Sequence, residues 1–272
     1  MLQVYDAGEA SAIARILVEH FGGRSFLALA EDKPGADVLQ QLELALQQLL
    51  QHRPLQYVLN EAWFYGLKFH VNESVLIPRP ETEELVDWII KDVQSNKQVN
   101  TLRILDIGTG SGCIPISIRK HIAATVTAID LSATALQTAK ANATFNQTPV
   151  EFLQMDFLDE STWNQLGEFD IIISNPPYIK QSEESQMHKN VVEHEPHLAL
   201  FVPDNDALIF YRKILLFAQT HLAENGAVYV EINQQLGKET AVLFTENGFV
   251  VELKKDMSGN ERMVKGSRSS RG

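Results

Sequence analysis

The stretch "ILDIGTGSGCIPI" (residues 104–116) decides the fold. The apolar run at 104–107 has the length of a strand and breaks at Gly108. Gly110 and Gly112 follow, and the residues from Cys113 onward read as a helix start. Three alternating glycines are more than a tight turn needs. They let backbone approach a ligand with no Cβ in the way. Outward from this loop the pattern alternates. Strand-like runs fall at 102–107, 125–129, 150–154, 169–174 and 227–232, with helical stretches such as 132–145 and 206–223 between them. That alternation predicts an α/β fold, a mostly parallel sheet with helices on both faces. A helix over 235–246 precedes apolar runs at 249–253 and 263–264, which are expected to pair as an antiparallel edge. In such sheets ligands bind at the carboxyl ends of the strands, where the strand order reverses.

The residues around the loop select the ligand. A dinucleotide fingerprint counted from Gly108 needs its third glycine at Cys113, whereas the spacing here is G-x-G-x-G. Asp106, just ahead of the loop, sits badly beside a pyrophosphate and suits an ammonium group. Asp130 ends the next strand, where a carboxylate takes ribose hydroxyls. Its other reading is the cap of the helix after Leu131-Ser132. Asp156 follows the third strand and can accept from an exocyclic adenine amine, with Phe157 packing on the ring. The alternative there is a solvated loop carboxylate beside a core phenylalanine. A ligand with an ammonium, a ribose and an adenine but no phosphate is S-adenosylmethionine. The expected cofactor contacts are Asp106, Gly108, Thr109, Gly110, Ser111, Gly112, Asp130, Leu131, Asp156, Phe157 and Asn175.

"SNPPYIK" (174–180) ends the fourth strand-like run. A planar NH₂ group is a weak nucleophile and barely basic, so a general base cannot simply deprotonate it first. Two acceptors that hold its N–H groups orient the nitrogen, and their bonds strengthen as positive charge arrives. The Asn175 side-chain oxygen and the Pro176 carbonyl can be those acceptors. Pro176 and Pro177 stiffen the loop, and Tyr178 can pack against a flat substrate group. Asn175, Pro176 and Tyr178 are the expected catalytic residues, and Pro177 joins them in binding substrate. The bland reading is a Pro-Pro turn after a strand.

Residues 1–60 read as helices. Ile13, Ile16, Leu17 and Phe21 share one face, and Val38, Leu42, Leu46, Leu49 and Leu50 another. Gly22-Gly23 and Lys33-Pro34-Gly35 are breaks. At 65–80 the period changes: Leu67, Phe69 and Val71 alternate, Asn72-Glu73-Ser74 can turn, and Val75-Leu76-Ile77 follow, which predicts a hairpin. Pro80 with Glu81, Glu83 and Glu84 suits a helix start running through Trp88-Ile89-Ile90, with a polar loop at 94–100.

Composition narrows the function. The net charge of -12 disfavours a broad electrostatic grip on nucleic acid. With Cys113 as the single cysteine, neither an internal disulfide nor a cysteine metal cluster can form, and no metal is expected. No run is long and apolar enough for a bilayer, and the N-terminus lacks a signal-peptide pattern. A cytoplasmic protein without membrane partners is expected.

Residues 101–265 resemble the class I S-adenosylmethionine-dependent methyltransferases. The helical N-terminus, "RPLQYVLNEAWFYGLKFHVNESVLIPRPETEELV" (53–86), "EHEPHLALF" (193–201) and "DMSGNERMV" (256–264) extend this to essentially the whole chain, which is similar to the release factor glutamine methyltransferases. Three positions depart from that pattern, Asn60, Pro203 and Asn233 standing where the family has glycine. The resemblance implies a seven-stranded Rossmann-like sheet. It also implies methylation of the Gly-Gly-Gln glutamine of bacterial peptide chain release factors, and a monomer. The implied organisation is a helical substrate-recognition domain at 1–64, a hairpin linker at 65–79, the methyltransferase domain at 80–266 and a disordered tail at 267–272. The main alternative is methylation of an exocyclic amine of adenine or guanine in nucleic acid, which predicts a basic strip around Lys180, Lys189, Arg212 and Lys213. A non-catalytic cofactor-binding module is the third reading, and the intact Asn175 argues against it.

Overall fold

The structure is a computed structural model that describes residues 4–23, 25, 34–95 and 101–268. Lys33, loop residues 96–100 and tail residues 269–272 lie outside the described residues. At the N-terminus, α1 (Ala7–Gly22) starts on Asp6, whose side chain accepts from the Glu9 N–H, and ends at Gly23 in a left-handed conformation. It packs on α2 (Ala36–Leu50) and α3 (Leu55–Leu59) through Ile13, Leu17, Ala45, Leu49 and Val58. Ile16 and Leu50, expected on the buried faces, are exposed. A three-helix contact this small covers a narrower stripe than the periodicity offers. Asn60 ends α3 with φ 53, a left-handed position that Asn tolerates better than most non-glycine residues.

The hairpin is displaced from its expected place. It pairs β1 (Glu61–Phe64) with β2 (Leu67–His70), from Glu61 opposite His70 to Phe64 opposite Leu67. Its two-residue turn, Tyr65-Gly66, has positive φ at both positions, the geometry whose twist matches antiparallel strands. Asn72-Glu73-Ser74 is a separate turn, and Val75–Ile77 lie outside any strand. Val71, Val75 and Ile77 are buried with Tyr57, Ala62 and Ala135 instead. Alternation marked those residues for burial without naming what buries them. The hairpin is bonded to the domain after it: Asn142 accepts from the His70 N–H at 2.7 Å and donates to the His70 carbonyl at 2.9 Å.

Seven strands build the central sheet. These are β3 (Leu102–Ile107), β4 (Ala124–Asp130), β5 (Glu151–Gln154), β6 (Phe169–Ser174), β9 (Leu222–Glu231), β10 (Phe249–Lys255) and β11 (Glu261–Arg268). The intervening β7 (Ile179–Lys180) and β8 (Phe201–Val202) form a separate short pair. The order across the sheet is β10-β11-β9-β6-β3-β4-β5. All neighbours are parallel except β11, which is antiparallel to both β9 and β10. The expected antiparallel edge is therefore present, and the short run at 263–264 proves to be the middle of an eight-residue strand. Ser267 and Arg268, read from sequence as tail, belong to that strand, with Ser267 opposite both Val250 and Ala227. Ladder partners, not local polarity, decide where it stops.

Helices cover both faces. One side carries α4 (Pro80–Ser95) and α5 (Cys113–His121) over Ile104, Val126, Ile171, Ile173 and Tyr229. The other carries α8 (Ile209–His221) and α9 (Gly237–Glu246) over Leu105, Ile107, Ile172, Val228 and Val230. Here α6 (Ala133–Phe145) and the four-residue α7 (Lys189–Val192) complete the helix numbering. Burial on both faces is why these strands are continuous apolar runs. Truncating one of the residues that are 0% exposed, such as Ile172, would cost about 2–5 kcal/mol. The strand order reverses between β3 and β6. Both chain reversals of interest, after Ile107 and after Ser174, therefore open on the same crevice.

Candidate active site

The glycine loop leaves β3 with Gly108 at φ 75, Gly110 at φ 53 and Gly112 at φ 79. A Cβ on Gly108 or Gly110 would project into open space, and both residues border a cavity in the crevice. Gly112 has a different task. Its Cβ would lie 3.0 Å from Ile116 and 3.2 Å from Ala139, so it permits close packing where α5 begins.

Asp130 lies at the tip of β4 and accepts from the Gly110 N–H at 2.8 Å and the Ser132 N–H at 2.9 Å. Burial raises its pKa, and those backbone donors oppose the rise. The helix cap proper is Ser132, which accepts from Ala135. Asp130 thus braces the glycine loop rather than capping α6.

Asp106 is fully buried, and neither of its oxygens has a hydrogen-bond partner among the described residues; the nearby Thr109 hydroxyl is likewise unpaired. Burial pushes the Asp106 carboxyl up to about 7. The Thr109 hydroxyl, close by but outside hydrogen-bonding geometry, tempers this only electrostatically, and the Asp130 charge adds to it. An unpaired buried carboxylate is costly and rare in folded proteins. A cationic ligand group would satisfy it.

A cavity of about 240 Å³ fills the crevice. Of the expected cofactor contacts, Gly108, Gly110, Asp130, Leu131, Asp156, Phe157 and Asn175 line it. Asp106, Thr109 and Ser111 are buried outside that lining, and Gly112 turns into the packing below. Asp156 is exposed and accepts from the Leu158 N–H, whereas Phe157 is buried and stacks on Trp163. The structure thus shows a solvated carboxylate beside a core phenylalanine, and both residues also line the cavity. The open Gly108 and Gly110 positions, the orphaned Asp106 oxygens and the Asp130 carboxylate fit a ligand with a cationic end and hydroxyls.

A second cavity, about 280 Å³, adjoins the first. The two share Leu76, Asn175, Pro176 and Ala199 as lining. Arg79 and Tyr178 line only the second. Its wall is fastened by Glu195, 3% exposed, which accepts from the Ile77 N–H and pairs with Arg79. The parallel pairing of β7 with β8 sets Ile179 opposite Phe201 and so ties the end of the 193–201 segment to the chain after Tyr178.

Behind the Asn-Pro-Pro-Tyr turn lies a polar network that sequence reasoning missed. The Asn175 amide donates to the Thr82 hydroxyl at 3.1 Å, which donates to Glu231 at 2.6 Å. The Tyr178 hydroxyl donates to the other Glu231 oxygen at 3.1 Å. Glu231 is 2% exposed. Burial raises its pKa, and the two hydroxyls and the Arg262 charge counter that. Burial also raises Tyr178 far above the usual phenol range. Its hydroxyl is thus committed to Glu231, while its ring borders the second cavity. Asn233, one of the three departures from glycine, sits beside it and donates to the Tyr178 carbonyl at 3.4 Å. One signal for Glu231 was present in the sequence, a lone carboxylate inside the apolar run at 227–232.

Strand order, glycine loop and paired cavities define a class I methyltransferase. The Methyltransferase small domain family model matches residues 87–199. A methyltransferase from Pyrococcus furiosus shares the fold at TM-score 0.54 and 18% identity, over 84% of this chain and 99% of that one. A T. thermophilus 16S rRNA methyltransferase solved with S-adenosylmethionine and guanosine does so at TM-score 0.56 and 16% identity, over 77% and 50%. The Release factor glutamine methyltransferase of Flavobacterium psychrophilum is 49% identical, covering 97% of this chain and 94% of its own. That of Lactococcus lactis is 42% identical, over 88% and 87%. The chain belongs to the release factor glutamine methyltransferase family.

Proposed function

We propose that this chain methylates the side-chain amide nitrogen of the glutamine in the Gly-Gly-Gln motif of a bacterial peptide chain release factor, with S-adenosylmethionine as methyl donor. The observation that carries the reading is the shared wall: Asn175 and Pro176 border both cavities, where a donor in one meets an acceptor in the other. When bound, the cofactor supplies a methyl carbon activated by a positively charged sulfur. Asp130 and Asp156 would take its hydroxyls and adenine amine, and Asp106, buried next to the lining residue Ile107, would favour its ammonium by charge.

The chain's own contribution to chemistry is orientation. The Asn175 side-chain oxygen and the Pro176 carbonyl accept from the two N–H groups of the glutamine amide and aim the nitrogen at the first cavity. These bonds strengthen as charge reaches nitrogen, which lowers the barrier without prior deprotonation. The new N–C bond would form as the methyl–sulfur bond breaks with its electron pair left on sulfur, giving a neutral thioether (S-adenosylhomocysteine). The methylated nitrogen would then give up one proton to water. Pro177 stiffens the turn, and the Tyr178 ring flanks the amide plane.

The nucleic-acid reading asks for an unneutralised basic strip. Arg212 instead pairs with Asp206 and Lys213 with Glu160, which favours a protein acceptor. In this reading residues 1–64 grip the release factor, the hairpin region 65–79 joins them to the transferase, and the enzyme works as a monomer in the cytoplasm. Among the described residues no helix is long and apolar enough to cross a membrane. Removing residues 1–50 should spare cofactor binding in calorimetry and abolish methylation of an intact release factor. The decisive experiment is mass spectrometry of a release factor incubated with this protein and S-adenosylmethionine. One added methyl group on the Gly-Gly-Gln glutamine is expected, and an unmodified peptide would overturn the reading.

A further inference from the structure

We infer that Thr82 and Glu231 are positioning residues that set which way the Asn175 amide faces, and so make its oxygen the acceptor offered to substrate. The inference rests on the acceptor role of Asn175 proposed above. It follows from counting protons along the chain of contacts. Thr82 has one hydroxyl proton, and a buried carboxylate can only accept. At 2.6 Å from Glu231, that proton is committed to the carboxylate. The second Glu231 oxygen is turned toward another donor, the Tyr178 hydroxyl, and the Glu231 carbonyl accepts from Tyr211 at 3.1 Å. The Thr82 oxygen therefore faces Asn175 with lone pairs alone, and only the NH₂ end of the amide can meet it. The carbonyl end is left for the cavities that Asn175 lines.

The elements that supply these groups are far apart in sequence: the first turn of α4, the end of β6 and the end of β9. None of Thr82, Glu231 or Tyr211 lines either cavity. Their influence on the reaction runs through Asn175 and Tyr178. A flipped amide would point two donors at a substrate NH₂ that needs acceptors, so the network guards the sign of the interaction as well as its geometry.

The test reads kcat on the intact release factor, its KM, cofactor affinity by calorimetry and Tm. Thr82→Val keeps the shape and removes the acceptor. It should lower kcat on the order of 10- to 100-fold, with KM and cofactor affinity within about 3-fold. Thr82→Ser, which restores the hydroxyl, should recover most of the loss. The sharper arm pairs Asn175→Asp with Glu231→Gln. A carboxylate introduced by Asn175→Asp competes with Glu231 for the single Thr82 proton. The amide introduced by Glu231→Gln can donate to Thr82, whose proton then turns to the new carboxylate. Glu231→Gln should thus harm the natural chain yet raise the activity of the Asn175→Asp chain. In that chain it also relieves repulsion between two carboxylates. The reversal therefore supports the inference only where it falls in kcat with Tm and cofactor affinity unchanged, and a reversal confined to Tm counts against it. Additive losses, or a fully active Thr82→Val, would overturn the inference. If Glu231→Gln does not fold by its Tm, the Thr82→Val and Thr82→Ser pair decides. Wild-type methylation by Asn175→Ala would defeat the acceptor reading itself, whereas an inactive Asn175→Ala beside a fully active Thr82→Val defeats only the orientation.

Discussion

The ends of β3 and β6 lie side by side at the reversal of the sheet, and the chain treats their polar groups in opposite ways. After β3, Asp106 and Thr109 are buried with nothing to bond among the described residues. After β6, Asn175 and Tyr178 are both tied to Glu231, one of them through Thr82. The first site leaves its polar groups unsatisfied and the second satisfies them internally. In the function proposed above the first arrangement would favour a ligand that brings the missing cationic partner, and the second would fix one lone-pair direction before substrate arrives.

The largest expected effect lies on the wired side. Asn175→Ala should cost on the order of 10²–10³ in kcat, by analogy with removal of one oxyanion-hole donor. Cofactor affinity should change far less, and an equal loss in both would erase the contrast.

On the unsatisfied side, Asp106→Asn should weaken cofactor binding by about 1.5–3 kcal/mol, the range for hydrogen bonds to charged groups. The same change should stabilise the cofactor-free chain. With a folded pKa of about 7 against an ordinary carboxylate value when unfolded, Asp106 holds a proton in the folded state that the unfolded state has released. Its cost to stability therefore grows as pH rises through that window and is absent well below it. The gain in Tm from Asp106→Asn should be clear at about pH 8 and vanish toward about pH 4. For the natural chain, cofactor affinity should rise as pH passes about 7 and Asp106 ionises. A lower Tm for the variant at the alkaline end would show that the carboxylate has a partner.

Asp130→Ala should weaken cofactor binding by about 1–3 kcal/mol. It also strips the Gly110 and Ser132 N–H groups of their acceptor, so Tm should fall, unlike for Asp106→Asn. The smallest effect is assigned to Gly112→Ala. Left-handed φ and the contact with Ala139 should cost about 1–2 kcal/mol of stability, read by urea unfolding. Cofactor affinity in the surviving folded chain should be nearly unchanged, because this glycine serves packing.

Much of the fold was legible because each strand carries its own signal. The runs at 102–107 and 169–174 coincide with β3 and β6, being apolar on both faces. The hairpin was misplaced because Leu67, Phe69 and Val71 alternate equally well in either register. Tyr65-Gly66, a two-residue turn with positive φ, was the better hinge. In the site, Asp130 and the Asn-Pro-Pro-Tyr turn were legible because local chemistry marks them. Thr82 and Glu231 were not, since nothing local marks a threonine in the first turn of a helix or a lone carboxylate in a strand as part of a site.

By itself the sequence determined the sheet, the glycine cradle, the cofactor class and the rigid turn that carries Asn175, because apolar period, glycine spacing and residue chemistry are local properties of the chain. Only the tertiary structure decided that Asp106 goes unpaired, that two cavities share Asn175 as a wall, and that Glu231 reaches the amide by way of Thr82. Those facts depend on contacts between residues up to 149 positions apart, and no local pattern encodes which distant group a buried side chain will meet.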